Sequence, residues 1–465
     1  MQRKPLHSAD MNGKKDSTQN SEKPSEGKMD KMIYVVFFGL LIDLLAFTMI
    51  LPLLPSLLDY YGQDGKDGLY NSLKDSVHGF RQLVGAPDIP RWNSVLFGGI
   101  LGSMFSLLQF VTSPVYGAAS DVYGRKPVLL LNMLGIALSY ALWAISNNFT
   151  MFVIARIVGG ISKGNVSLST AVVTDVSTRK TRGRGMAMVG IAFSIGFLIG
   201  PLIGAYFAKR VREQEELFFL GPALFALTLA IIDIVFIAVC FKETLPAEKR
   251  ASSMASSVQE VSYLINPVSL FNFSAVQTNT PQDLKAMRQI GGVYFAYLLL
   301  YSGLEFTLTF LTHNTFNYDS MQQGKMFFFI GIIMAVVQGG YIRRLKPGTE
   351  KKIAVRGFVL LIPAFILIGY ASSTAILYTG LALFSFASAT VVPCLTTLIS
   401  SYGTEDQKGV ILGIFRSLGA LARAIGPMVA STIYWSVGPF ICYTVGGLLL
   451  ALPLIFLLKI KIKTT

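Results

Sequence analysis

A succession of long apolar runs constrains this chain more than any other feature. About 20 apolar residues are enough to cross a bilayer as a helix. Twelve such runs can be read, near 32–57, 94–118, 128–146, 150–173, 185–208, 218–241, 290–312, 321–342, 357–373, 375–400, 409–434 and 437–458. Only Ser372, Ser373 and Thr374 separate the two runs within 357–400. Backbone in lipid must satisfy its own hydrogen bonds, so runs of this length fold as helices. Only 14% of the residues are charged, against roughly 25% in soluble chains. The expected fold is an all-α membrane protein of twelve transmembrane helices.

The charge follows the loops. There are 40 basic and 26 acidic residues, a net +14. With the N-terminus placed in the cytosol, cytosolic segments hold 28 Lys and Arg and outer loops hold 7. That asymmetry predicts two cytosolic termini, which an even number of spans requires. The remaining five cations lie within spans: Arg156, Lys163, Lys325, Arg416 and Arg423. No nucleic-acid motif accompanies the basic excess, so no nucleic-acid partner is expected.

These readings divide the chain. Residues 1–31 are polar and expected to form a disordered cytosolic tail. No cleavable leader pattern precedes the first span, which is expected to stay as a signal anchor. Residues 32–241 hold six spans, 242–289 form a cytosolic linker, 290–458 hold six more, and 459–465 are a basic cytosolic tail. Six plus six around a longer connection is the pattern of transporters built from repeats. Within the linker, Val258–Phe273 reads either as a membrane-surface helix or as a plain tether. The outer loop 58–93 is long enough to fold over a mouth. Lys461-Ile-Lys463-Thr-Thr465 reads either as a retrieval signal or as a basic flank. Asn148-Phe-Thr150 is a glycosylation sequon placed too near the membrane surface for ready modification.

Enzyme chemistry finds no support. The histidines His7, His78 and His313 are scattered, and Cys240, Cys394 and Cys442 lie in apolar runs without metal spacing. No nucleophile elbow or phosphate loop appears, so no metal or cofactor is expected.

The connection between the second and third spans reads Gly117-Ala-Ala-Ser-Asp121-Val-Tyr-Gly124-Arg125-Lys126-Pro127. Gly117 lets helices approach, Gly124 permits a tight turn, and Asp121 suits a helix N-terminus or basic groups. The first span ends in Leu51-Pro52-Leu53-Leu54-Pro55, the fourth carries Arg156-Ile-Val-Gly-Gly160, and the fifth carries Gly196-Phe-Leu-Ile-Gly200-Pro201-Leu-Ile-Gly204. Small residues at that spacing allow close helix packing. The loop resembles the signature G-x-x-x-D-x-x-G-R-K of the major facilitator superfamily. The other segments resemble motifs of its drug:proton antiporters. Asp43, nine residues before Pro52, is placed like the span-one aspartate of bacterial tetracycline antiporters. The whole chain is most similar to the tetracycline-transporter-like branch found in vertebrates. The resemblance implies two six-helix halves, alternating access, a monomer, and antiport of organic anions. It also implies that Gly117, Asp121, Gly124, Arg125 and Lys126 latch the halves together on the cytosolic side in one conformation. The second half departs from the pattern: Gly339-Gly-Tyr-Ile-Arg343-Arg344 lacks the aspartate.

Charges within spans need a partner or a wet cavity. Arg156, Gly160, Lys163, Ser167, Thr170 and Thr174 share one face of a continuous fourth helix. Such a polar face reads as cavity lining or as interhelix packing. The depth of each residue, at about 1.5 Å per residue, matches Asp43 with Lys163 and sets Glu305 opposite Arg156. Burial disfavours an ionised carboxyl and a neighbouring cation favours it. Asp43 and Glu305 are therefore candidate proton carriers, with permanent salt bridges as the alternative. Arg423 joins Arg156, Lys163 and Ser167 as a candidate substrate contact, and Arg416 serves either the cavity or the latch. Gln109, Tyr301 and Gln338 shape a pocket or simply pack. Asp233 reads as a packing or inner-end residue. The excess of central cations favours an anionic substrate.

The expected function is secondary active transport, exporting or exchanging amphipathic organic anions with protons, in the plasma membrane or an endomembrane. A uniporter or symporter of another small metabolite, and a non-transporting scaffold or receptor, are the alternatives.

Overall fold

The computed structural model describes residues 29–63, 67–85, 87, 89–178, 181–212, 219–251, 261–276, 280–345, 348–402 and 407–460. Most of the tail read over 1–31, and the retrieval-like C-terminal end, lie outside the described residues.

Twelve helices among the described residues are long and apolar enough to cross a membrane. Spans one to six are Lys31–Gly62, Trp92–Tyr123, Arg125–Ala144, Phe149–Val176, Arg184–Lys209 and Leu220–Cys240. Spans seven to twelve are Pro281–Phe316, Ser320–Tyr341, Glu350–Gly369, Thr374–Ser400, Lys408–Val437 and Pro439–Lys459. An even number brings both ends of the chain to one face, called the terminal face below; the opposite one is the far face.

Local chemistry sets the ends. Asp30 accepts from the Met32 amide at 2.7 Å, and Asp319 and Gln322 form a reciprocal capping box at the start of span eight. These contacts satisfy amides that a helix leaves without partners. Spans seven and twelve, and the helix that carries span two, begin with a proline at the first turn, where no amide is needed. The doubtful division at Ser372–Thr374 is real, because Ser373 caps span ten through the Ile376 amide.

Two connections differ from the expectation. Span seven starts at Pro281, inside the segment read as linker, because Pro281 opens a helix that runs on from polar residues into the apolar run. Within the segment read either as a membrane-surface helix or as a plain tether, the described residues hold a helical stretch over 261–265 and the short helix Pro267–Asn272. Phe273 ends the latter in a left-handed conformation with φ 52°, and Leu270 and Phe273 are buried. On the far face the helix Gly68–Val84 is pinned by Asp67, which accepts from the Tyr70 amide, the Thr150 amide and the Thr150 hydroxyl at 2.9–3.0 Å. Burial raises the cost of charging that carboxyl, but the donors outweigh burial and hold it below the usual carboxylate range. Asn148 caps span four through the Met151 amide. Both polar groups of the sequon thus have structural partners.

Spans one to six and seven to twelve form two halves that meet through spans two and eleven and through spans five and eight. At the far face the contact is dense. Trp435 Nε1 donates to Asn93 at 3.0 Å, the Met428 amide donates to Ser103 Oγ at 2.9 Å, and His313 Nε2 lies 2.9 Å from Asp59. One apolar core runs through both halves, while a second, around Val36, Leu129, Val172 and Ile237, stays within the first half. Toward the terminal face, a Cβ added at Gly117, Gly409 or Gly413 would meet nothing within 4 Å. The halves are therefore closed at the far face and parted at the terminal face.

Candidate functional site

Span four is the element that builds the site. It runs as Phe149–Ser162, breaks, and resumes as Asn165–Val176. Lys163 stands at the break, with ψ 55°. Irregular backbone at membrane depth survives only where its polar groups find partners. Here Asn132 of span three accepts from the Gly164 amide at 2.8 Å and Ser113 of span two donates to the Lys163 carbonyl at 3.4 Å. The break corrects the single stripe read across span four. Offsets counted through Lys163 do not hold, Gly160 lies against Phe105 and Leu108 of span two, and Ser167 and Thr174 are half-buried whereas Thr170 is buried. Asn132 and Ser113 went unread, although a lone asparagine inside an apolar run is a signal.

The break delivers Lys163 to Asp43. Its ammonium lies 2.8 Å from Oδ1 and 2.6 Å from Oδ2, and both side chains are only 4% exposed. The Phe47 ring lies under the ammonium at 4.5 Å. Charge-assisted contacts of this length, shielded from water, are strong.

Arg156 stands apart from this pair. Its guanidinium carbon lies 5.4 Å from the Phe105 ring centre and 5.9 Å from that of Phe152. It is 8% exposed, and its buried Nε has no hydrogen-bond partner. It makes no ion pair with Glu305, contrary to the depth argument. Glu305 instead accepts from the Tyr301 hydroxyl at 3.0 Å, and the cation whose field reaches it is Arg423. The reason is helical phase: depth fixes height along the bundle but not direction, and Arg156 points toward Phe105 and Phe152.

Tyr301 is buried, lies 2.8 Å from Ser388 Oγ, and stacks between Tyr297 and Phe384 at 5.3 and 5.4 Å. Arg423 and Arg416 are both exposed on span eleven. Arg416 reaches Met186 Sδ of span five at 3.9 Å across the parted halves. Gln338 accepts from Ser194 at 2.9 Å, so it links spans five and eight. Gln109 is half-buried on span two. The structure thus joins Asp43 with Lys163 and Tyr301 with Glu305, and leaves Gln338 as an interhelix contact.

The loop signature forms a network of its own. Arg125 donates to Asp121 at 2.6 Å, to Ser120 at 2.5 Å and to Asp175 of span four at 2.8 Å. Lys126 donates to the Ala238 carbonyl at 2.8 Å. Gly124 turns the chain with φ 99°, a conformation that favours glycine. Glu243, just beyond span six, accepts from the amides of Arg125 and Lys126 at 2.9 and 3.1 Å and from those of Thr244 and Leu245. Burial raises the cost of charging Glu243, but the four amides outweigh it and hold the carboxyl below the usual glutamate range. Asp175 and Glu243 escaped the sequence reading. Their signal is a carboxylate within three residues of a span's end.

Asp121 therefore pairs inside its own half, and span eleven is not engaged. The small residues of span five have a different task. Thr48 of span one donates to the Gly196 carbonyl at 2.8 Å, and Gly200 and Gly204 face Leu45 and Met49 of span one. Pro201 lies inside the same helix, its carbonyl beside Gly324 of span eight.

Two six-helix bundles joined at one face, with buried charges between helices, are the architecture of a membrane transporter. The chain belongs to the Major Facilitator Superfamily, whose model matches residues 36–427. It is 49% identical over 443 residues to major facilitator superfamily domain-containing protein 10 of Mus musculus, covering 94% of this chain and 95% of that one. The crystal structure of the human organic anion transporter MFSD10 (TETRAN) matches with a TM-score of 0.77 at 48% identity, covering 91% of this chain and 98% of that one. The class B tetracycline resistance protein of Escherichia coli is 25% identical over 395 residues, covering 85% of this chain and 86% of that one.

Proposed function

We propose that this transporter exchanges amphipathic organic anions for protons by alternating access, as a monomer with both termini in the cytosol. The observation that carries the reading is Arg156, a cation without a carboxylate partner, held between two aromatic rings. A guanidinium so placed suits a ligand that joins a negative group to an apolar body. The likeness to a human organic anion transporter supports the same substrate class. With the 28:7 distribution of Lys and Arg, the terminal face is the cytosolic one, so the parted halves admit substrate from the cytosol.

Proton exchange rests on Asp43 and Glu305. An anion that draws Lys163 or Arg423 toward itself leaves a carboxyl without its cation, and that carboxyl then takes up a proton. Glu305, which accepts from the Tyr301 hydroxyl and has Arg423 as the cation whose field reaches it, is favoured as one carrier.

The test is uptake of labelled aromatic carboxylates into proteoliposomes, with and without an imposed pH gradient. Wild-type flux should follow the gradient, and Asp43→Asn or Glu305→Gln should uncouple it. Undiminished coupling in both variants sinks the proton assignment. Flux that ignores the gradient indicates a uniporter, and absence of flux across an anion panel indicates a scaffold.

A further inference from the structure

Behind Asp43, between spans one, three and six, lies a small space. It is lined by Asp43 and Ala46 of span one, Met133, Ile136 and Tyr140 of span three, and Ala230 and Asp233 of span six. A water-sized sphere has about 10 Å³ in which to place its centre, close to the roughly 10–15 Å³ that one water requires. Asp233 was read as a packing or inner-end residue. It stands instead in the body of span six, 2% exposed, with a buried Oδ1 that has no hydrogen-bond partner.

We propose that Asp233 sits protonated and forms, with Asp43 and one intervening water, a proton-holding site. The charges facing this space decide the matter. Span one contributes the Asp43 carboxylate, span three the neutral Tyr140 phenol, and span four Lys163 and, beyond Tyr140, Arg156. Lys163 directs its ammonium to both oxygens of Asp43. An ionised Asp233 would therefore be a second carboxylate beside Asp43, with no donor and no cation in contact. Two carboxylates that share one cation do not both stay charged, and burying an unpaired charge costs far more than burying a neutral acid. Asp43 has the cation, so the proton resides on Asp233.

The site deepens the proton-exchange reading, on which its use in transport rests. When substrate draws Lys163 away, Asp233 passes its proton through the water to Asp43, and the one negative charge that remains moves to Asp233. The pair becomes neutral when it takes up one further proton from outside.

Infrared difference spectroscopy on the purified protein in nanodiscs, in H₂O and D₂O, tests the site without transport. Wild type should show the C=O band of a protonated carboxylic acid that shifts in D₂O. Asp233→Asn should lose the contribution of one acid, and Glu305→Gln should retain it. In Asp43→Asn, Lys163 is freed to turn to Asp233, and the same contribution should vanish. Asp233→Ser repeats the test if the amide fails to assemble. A band unchanged in both Asp233 variants, or lost from Asp43→Asn while kept in them, overturns the proposal. Loss of pH-coupled flux with an intact band leaves the site standing and removes only its role in exchange.

Discussion

Replacing Lys163 by methionine keeps the length of the side chain and deletes its charge. What remains is the Asp43 carboxylate, 4% exposed, deprived of contacts at 2.8 and 2.6 Å. Breaking a buried pair from one side costs about 3–5 kcal/mol, whereas replacing both partners by neutral groups is often nearly free. Lys163→Met should therefore be destabilising, and Lys163→Met/Asp43→Asn should recover most of the loss. The unfolding entropy of roughly 2.1 cal/mol/K per residue sets the scale. A loss of about 4 kcal/mol lowers the midpoint by about 4 °C if the whole chain unfolds together, and by about 10 °C if one half unfolds alone. Thermal unfolding of the detergent-purified variants, followed by intrinsic fluorescence, reads this directly. If the double variant melts no higher than Lys163→Met, the reasoning fails. The loss would then come from the lysine stem and the helix break it occupies, not from a stranded charge.

Two further outcomes follow from the terminal-face network. Glu243→Ala removes the acceptor of two amides at the start of span three and two just beyond span six, and should cost about 1–2 kcal/mol at neutral pH. The folded carboxyl is held below its ordinary value of 4.5, so the stabilisation is present above that pH and is lost as the pH falls through the folded value. The gap in melting temperature between wild type and variant should narrow in acid. Gly117→Leu adds its Cβ where nothing lies within 4 Å and replaces a poor helix former, so stability should be unchanged or slightly higher. Transport should nonetheless fall by about tenfold or more, the effect of a ~1.4 kcal/mol penalty on the opposite conformation, and full activity would show that span two makes no close contact at Gly117 in that state.

Much of the fold was legible because lipid leaves the chain few options. Twelve apolar runs gave twelve helices, and even the tight turn at Ser372–Thr374 divided as read. The pairing of Asp43 with Lys163 was legible too, since two opposite charges at one depth in lipid have strong reason to meet. Direction around the helix axis was not legible. Arg156 was set opposite Glu305 by height alone, and the break at Lys163 turned the second part of span four out of register with the first. Nothing in a hydropathy pattern announces such a break, because its cause is tertiary: Asn132 and Ser113 on other spans satisfy the exposed backbone. Asp175 and Glu243 were passed over, and Asp233 was read as a packing or inner-end residue, for the same reason. Each gains its meaning from a neighbour 50 or more residues away in the chain.

The unequal closure of the two faces gives the loop signature its place in the cycle. At the far face the halves are joined by neutral hydrogen bonds, aromatic contacts and one histidine–aspartate pair, with Trp92 packed on Tyr434 at 6.0 Å. At the terminal face Asp121 is turned back on Arg125, in a network that holds spans two, three, four and six as one body. That network needs no contribution from the second half, so it survives whichever face is open. Closing the terminal face would bring the N-terminus of span eleven, with Gly409 and Gly413 bare of neighbours, up to Gly117 and Asp121. A carboxylate at a helix N-terminus is worth about 0.3–1 kcal/mol, up to ~2 when partly buried, and Asp121 holds enough open lone pairs to accept there without leaving Arg125. The second half has no aspartate to reciprocate: its matching segment winds through a π turn over Val337–Tyr341, and Tyr341 accepts from Arg356 at 3.4 Å. On the proposed alternating-access cycle a latch there would be one-sided and weak, as a gate that must reopen in every cycle requires.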